Sequence, residues 1–417
     1  MRLLFFVHQF YPEYRSGTEK VTLNLAKAAQ RAGHHVCVLA CTMNPSARQT
    51  WPSVALPGAL ESVHEGLPVV LLPRGQLPET ADFSLDSDPA MVFRLSTWLK
   101  AQRFDIAHGM HPMRMASTLK ALVEARIPYL LTLTDFFYEC TRINLINLEG
   151  AQCDGPEEGA RCAADCLAPP LTQKKFRERY EQGREFLERA RLRIAPSDFV
   201  ARRYREAFPG LAFRTLAHGV DIVRLAASIG AASPQARRPG APLALTYIGT
   251  MVEQKGATTL LEGLARVPQA NVRLRLAGGF YGNHPYEAQV RKWVDADSRA
   301  SLIGELNPDE VPRELARSDV LCLPSLVPET FSLILHEAAA AGVPAMVSDI
   351  GAPADFVTQS GAGLTVKAGD AQAWSHAIAT LADDPARLDA WRERLPLPLR
   401  QEEEAFFYQA LYRSLGG

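Results

Sequence analysis

Short apolar runs alternate with longer stretches in which apolar positions recur at helical spacing, and both halves of the chain keep this alternation. In the first half Leu3–His8, Val36–Cys41, Val69–Leu72, Ile106–Gly109, Tyr129–Leu133 and Leu192–Ala195 are the candidate strands. After the first strand, Val21, Leu25 and Ala28 share one stripe of a helix expected from Thr18 to about Ala32, where Gly33 ends it. Strands separated by amphipathic helices predict a doubly wound α/β domain with a parallel sheet. The cadence restarts at Leu243–Gly249 and continues through Val272–Gly278, Val320–Pro324 and Ala345–Ser348. A second sheet implies a second domain, with a cleft between the two. Ala231–Pro242 reads as a loop by composition, and Leu395-Pro-Leu-Pro398 stops one helix before Arg400–Leu415 begins another.

Length supports that division, because 417 residues exceed what one core usually serves and two domains of roughly 200 residues are expected. Hydrophobic residues at 47% and charged ones at 22% place both among ordinary globular domains. A formal net charge of −1 gives no general attraction for nucleic acid, so any anionic partner needs a local patch. No apolar run approaches the roughly 18 residues that cross a bilayer. The apolar start Met1–Val7 is broken by His8-Gln-Phe-Tyr-Pro-Glu13 before a cleavable leader forms, so a cytoplasmic protein is expected. G-x-G-x-x-G is missing after the first strand, which argues against a dinucleotide oxidoreductase and its redox cofactor.

The tightest constraint is Pro324-Ser-Leu-Val-Pro-Glu329-Thr-Phe-Ser-Leu-Ile-Leu-His-Glu337-Ala-Ala-Ala-Ala-Gly342-Val-Pro344. Helix formers from about Phe331 to Ala341 end at Gly342, and Pro344 forbids continuation. Glu329 thus precedes the helix, with Glu337 on the order of 9 Å further along its axis. The N–H groups of Phe331, Ser332 and Leu333 stand between the two carboxylates, where a helix start attracts phosphate. The plain alternative, two solvated glutamates on an amphipathic helix, fits less well with the flanking apolar strand and the Gly-Val-Pro exit.

Other expected strand ends carry chemistry as well. Gly17, in the turn after the first strand, lets a backbone or ligand approach closely. Asp105-Ile-Ala-His108-Gly-Met-His111 sets two histidines where open α/β sheets bind ligands, although His108 also reads as a packing histidine. Asp135, after Leu131-Thr-Leu-Thr134, can orient a hydroxyl. Lys255, in Gly249-Thr-Met-Val-Glu-Gln-Lys255-Gly256, supplies a point charge for phosphate. Gly278-Gly279 and Gly351 are turn residues or ligand contacts at two further strand ends.

These motifs resemble the family 4 retaining glycosyltransferases of the two-domain GT-B type, over nearly the whole chain and most strongly from Tyr247 to Asp355. The resemblance implies that Glu337 holds the nucleotide ribose, Glu329 approaches the donor sugar, and the Phe331, Ser332 and Leu333 amides meet the diphosphate. Gly17, Gly249 and Lys255 would complete the donor site, with Glu329, His111 and Asp135 as the catalytic set. Departures from the family pattern are Ser16 and Ser332 for glycine, Thr134 for histidine, Thr250 for arginine and His218 for asparagine in the hinge Ala217–Asp221. The implied domains are 1–216 for the acceptor and 217–396 for the nucleotide sugar, with a helix in 397–417 returning to the first. The implied activity is metal-independent transfer of a hexose from a UDP- or GDP-linked sugar to a glycan or lipid-linked glycan, in surface polysaccharide or glycoconjugate assembly. A GT-B protein that binds nucleotide sugar or glycan without turnover, favoured by Thr134, Thr250 and Ala352, and a sugar-nucleotide epimerase are the alternatives.

Cys140, Cys153, Cys162 and Cys166 cluster in a Gly-, Pro- and Asn-rich insertion at about 136–170, expected to border the acceptor. Clustered thiols in a cytosolic chain suggest structural zinc, then free thiols, then disulfides. Within Thr172–Arg193, Lys174, Lys175, Arg177, Arg179, Arg184, Arg189, Arg191 and Arg193 face Glu178, Glu181, Glu185 and Glu188. Opposite charges at this spacing usually make a solvated face, and the alternative is peripheral docking at the inner face of an anionic membrane.

Overall fold

The computed structural model describes residues 1–47, 49–168, 171–229 and 240–416. The chain divides into two compact units, Met1–His218 with Glu402–Gly417, and Gly219–Gln401. Of the expected loop Ala231–Pro242, residues 231–239 lie outside the described residues.

The first unit is built on β1 (Arg2–Val7), β2 (His35–Thr42), β3 (Trp51–Pro52), β4 (Leu60–His64), β5 (Leu67–Pro73), β6 (Ile106–Gly109), β7 (Tyr129–Thr132), β8 (Leu192–Ala195) and β9 (Arg214–Thr215). They form a sheet in the order β3-β4-β5-β2-β1-β6-β7-β8-β9, parallel except where β4 meets β3 and β5. From Leu3 to Val7 every side chain of β1 is buried, so the run reads as continuously apolar rather than alternating. Leu3 lies opposite Val36 on one side and Ile106 on the other. The six strands expected in this half exist with ends shifted by a residue or two, while β3, β4 and β9 were not expected. Leu60-Glu-Ser-Val-His64 is too polar to stand out as a run, and β3 and β9 are two residues each.

The helix Gln401–Leu415 contributes most of its length to this first unit. The Tyr412 hydroxyl lies 2.8 Å from His108 Nδ1, and His108 Nε2 is 2.7 Å from Thr132 Oγ1, which in turn bonds the Tyr408 hydroxyl at 2.7 Å. His108 is therefore a satisfied core histidine. His218, also buried, reaches Glu404 on the same helix at 2.9 Å.

In the second unit β10 (Leu243–Ile248), β11 (Val272–Ala277), β12 (Ala300–Gly304), β13 (Val320–Leu323), β14 (Ala345–Ser348) and β15 (Gly363–Val366) form a wholly parallel sheet, ordered β12-β11-β10-β13-β14-β15. Its core includes buried Tyr247, Tyr286 and Trp374. β12 and β15 were not expected from the sequence. In each sheet the chain builds outward one way and then the other, so the direction reverses between β1 and β6 and between β10 and β13. Open α/β sheets receive ligands beyond the carboxyl ends of the strands at such a reversal.

The charged helix spans Gln173–Arg189 and leaves Arg191 and Arg193 beyond it. Its ladder is matched: Lys174 with Glu178, Arg177 with Glu181, Arg184 with Glu188, Arg189 with Glu185. Arg179 is buried and donates to the carbonyls of Phe83 at 3.0 Å, Tyr138 at 3.2 Å and Phe137, pinning the insertion. Arg193 bonds the carbonyls of Leu187 at 2.5 Å and Ala190 at 3.0 Å. Arg179 and Arg193 thus serve the fold, while the i,i+4 pairs make the exposed charged face that this spacing gives. Among the described residues no helix is long and apolar enough to cross a membrane.

Candidate functional site

In the second unit the loops after β10 and β13 meet at the reversal point. Lys255 ends a short turn after β10, and its Nζ lies 2.8 Å from Glu329 Oε1. Ser325 Oγ donates to the same carboxylate, and Leu326 N–H reaches Gln254 O at 2.8 Å, joining the loops through backbone as well. Gly256 makes this approach possible: at φ +67° a Cβ would stand 2.0 Å from the Pro324 carbonyl oxygen. Burial raises the Glu329 pKa, but the Lys255 charge and its hydrogen bond, with that of Ser325, outweigh burial and hold the carboxyl below its ordinary value. Glu329 is thus a fixed anion beside a fixed cation.

The helix after Glu329 spans Leu333–Ala340 rather than Phe331–Ala341. Ser332 precedes it at φ +70°, outside helical space, so the Phe331 and Ser332 amides belong to a turn and Leu333 opens the helix. Phe331 is buried, its ring stacked at 3.8 Å on His336, whose Nδ1 lies 3.0 Å from the Ser332 carbonyl. His336 was missed in the sequence because only its contact with Phe331 gives it a role. Gly351 packs against Glu329, with Ala352 N–H donating to Glu329 O at 2.9 Å; a Cβ on Gly351 would stand 2.6 Å from Glu329 N. This glycine buttresses the loop. Glu337 lies in the helix, and Gly249 follows β10.

In the first unit His8, His111 and Asp135 follow β1, β6 and β7, three adjacent strands. His111 Nε2 is 2.5 Å from Asp135 Oδ2, and its Nδ1 accepts from Met113 N–H at 3.1 Å. Asp135 Oδ1 also accepts from Phe137 N–H at 2.5 Å. Thr134, which stands where a histidine was expected, spends its hydroxyl on the Met110 carbonyl at 2.7 Å. Gly17 opens the helix Gly17–Arg31, capped by Ser16, whose N–H donates to Glu19 Oε2 at 2.7 Å. The His8 and His111 rings stack at 3.8 Å, and His8 Nε2 lies 3.8 Å from Glu19 Oε1. His8 and Glu19 were not singled out from the sequence, although Ser16-Gly-Thr-Glu19 carries the capping-box signal.

The four insertion cysteines, with Cys162 in electrostatic reach of the other three, are not placed as a metal site. Cys140, Cys153, Cys162 and Cys166 are free thiols, and among the described residues no group of three or more His, Cys, Asp or Glu is placed to hold a metal. Cys153 Sγ is engaged by its own turn, 3.5 Å from both Gly155 N and O. Burial, and after it the neighbouring Cys140, Cys153 and Cys166, pushes the Cys162 thiol up to about 12.

Residues 16–217 match the family described as glycosyl transferase 4-like domain, and residues 230–396 match glycosyl transferases group 1. The phosphatidyl-myo-inositol mannosyltransferase of Mycobacterium leprae is 26% identical over 91% of this chain and 86% of its own length. The D-inositol 3-phosphate glycosyltransferase of Corynebacterium efficiens is 28% identical over 40% of this chain, which spans only 42% of that relative. Among solved structures, sucrose-phosphate synthase from Thermosynechococcus elongatus superposes with a TM-score of 0.70 at 18% identity, covering 99% of this chain and 98% of that one. Anabaena HepE, in complex with UDP and glucose, gives 0.68 at 16% identity, covering 99% and 100%.

Proposed function

We propose, on the premise that this chain is a GT-B glycosyltransferase of the family 4 type, that it moves a hexose from a nucleoside diphosphate sugar to a hydroxyl of a glycan or lipid-linked glycan. Transfer proceeds with retention and without a catalytic metal ion. One observation carries the reading: Lys255 and Glu329 form a 2.8 Å pair where the second sheet reverses, just ahead of a helix start.

The parts divide the work by charge. Lys255 has three N–H donors, so while one holds Glu329 the others remain for the diphosphate oxygens, on which negative charge grows as the sugar departs. The Leu333 end of the helix adds aimed donors and the positive end of its dipole. Glu329, kept ionised, accepts hydrogen bonds from sugar hydroxyls, and Glu337 further along the helix takes the ribose. Without a covalent intermediate, the protein's task is to position the two substrates and stabilise charge. HepE, whose structures hold UDP with glucose and UDP-glucose, supports a nucleotide sugar as donor.

Thermal unfolding in the presence of UDP, GDP and their sugars tests donor binding. A ligand at a hundred times its Kd adds about 2.7 kcal/mol to stability. Nucleotide release from a sugar donor then separates a transferase from the second reading, a binder without turnover, which the engaged Thr134 hydroxyl favours. Release that falls by about a hundredfold in Glu329→Ala supports transfer; binding with no release from any donor favours the binder.

A further inference from the structure

We infer that His8 is an acceptor-site residue, its Nδ1 taking a hydrogen bond from the hydroxyl that receives the sugar. The inference deepens the transferase reading above and rests on it. Four observations meet at this residue. It follows β1 at the reversal point of the first sheet, where ligands of open α/β sheets bind. The neighbouring imidazole, His111, has both nitrogens engaged inside the protein, one by Met113 N–H and one by Asp135, and so keeps no lone pair for a substrate. His8 is 7% exposed, yet its Nδ1 has no hydrogen-bond partner in the protein, a state that buried polar atoms rarely keep. Its other nitrogen faces Glu19, which is wholly buried and fastened to Ser16.

The tautomer follows from these neighbours. A carboxylate opposite Nε2 favours the proton there, which leaves the lone pair on Nδ1. Burial, reinforced by His111 and Arg114, pushes the His8 pKa well below its ordinary value and keeps the ring neutral. A neutral ring with an available lone pair accepts from a hydroxyl and turns that oxygen's own lone pairs toward the reacting carbon. The stack on His111, itself clamped by Asp135, fixes the ring plane. His111 and Asp135 are then positioning residues for His8 rather than substrate contacts, which revises the roles that the family resemblance implies.

Two measurements test this. His8→Phe keeps a flat ring on His111 without Nδ1, and His8→Asn returns an amide near that place. With UDP-glucose and GDP-mannose as donors and water as the simplest hydroxyl, His8→Phe is expected to bind UDP or GDP within about twofold of wild type while releasing nucleotide about tenfold more slowly. His8→Asn should recover most of the rate. Wild-type release by His8→Phe overturns the inference, as does a parallel loss of nucleotide affinity. Failure of the wild-type protein to bind either nucleotide instead defeats the transferase reading. The second readout needs no donor: in ¹⁵N spectra the His8 Nδ1 resonance, unprotonated at neutral pH, should move on adding methyl α-D-glucopyranoside while those of His111 stay. A protonated Nδ1, or one indifferent to the glycoside, also overturns it.

Discussion

Ser332 occupies a backbone position that glycine would hold at lower cost. At φ +70° its Cβ crowds the neighbouring carbonyl, a strain of about 1–2 kcal/mol that glycine escapes. Ser332→Gly should therefore stabilise the second unit by about 1 kcal/mol in urea unfolding, and an unchanged or lower midpoint would remove strain as the explanation. Lys255 presents the opposite case. The Glu329 side chain is 12% exposed, and Lys255→Met would leave that carboxylate without its cation. A cost of about 3 kcal/mol is expected near neutral pH. The sign follows from the depressed folded pKa: the pair's contribution is present above the ordinary carboxyl value of 4.5 and fades as pH falls through the lower folded value, so the variant's deficit should shrink in acid.

The C-terminal helix is held to the first unit by polar contacts as well as by packing. Tyr408 and Tyr412 are buried, and their hydroxyls complete a chain through Thr132 and His108. Tyr412→Phe leaves His108 Nδ1 without its partner and should cost about 1–3 kcal/mol in the unfolding of this unit. The same burial, and secondarily the charge of His218, pushes the His108 pKa down to about 3 from 6.5. Between those values the unfolded chain binds a proton that the folded chain refuses, so stability rises with pH across that window at about 1.4 kcal/mol per unit for this group. His108→Gln should flatten the slope, measured as unfolding free energy from pH 4 to 7. The basic residues near 172–193 divide at this same scale between an exposed, paired face and the fold's interior. Helical spacing put acids beside bases, and Arg179 and Arg193 turn inward to carbonyls.

Across the molecule each unit has its own core and its own sheet reversal. Saturating UDP or GDP is expected to slow hydrogen exchange at residues 249–256 and 329–337 of the second unit. Protection confined to the first unit would displace the donor site proposed for Lys255 and Glu329. The sequence by itself determined the central parallel strands of each sheet, the loops that carry Lys255 and Glu329 and the helix that carries Glu337. Those features are written in apolar runs, glycines and prolines acting over a few neighbouring residues. Only the tertiary structure decided which polar atoms are occupied. His111 is engaged by Asp135, His108 by a tyrosine 304 residues away, and the insertion thiols are left as free thiols. The physical reason is range: strand and helix patterns arise from the chain's own period, whereas hydrogen-bond partners are assigned by strands and helices that meet only after the sheet has closed.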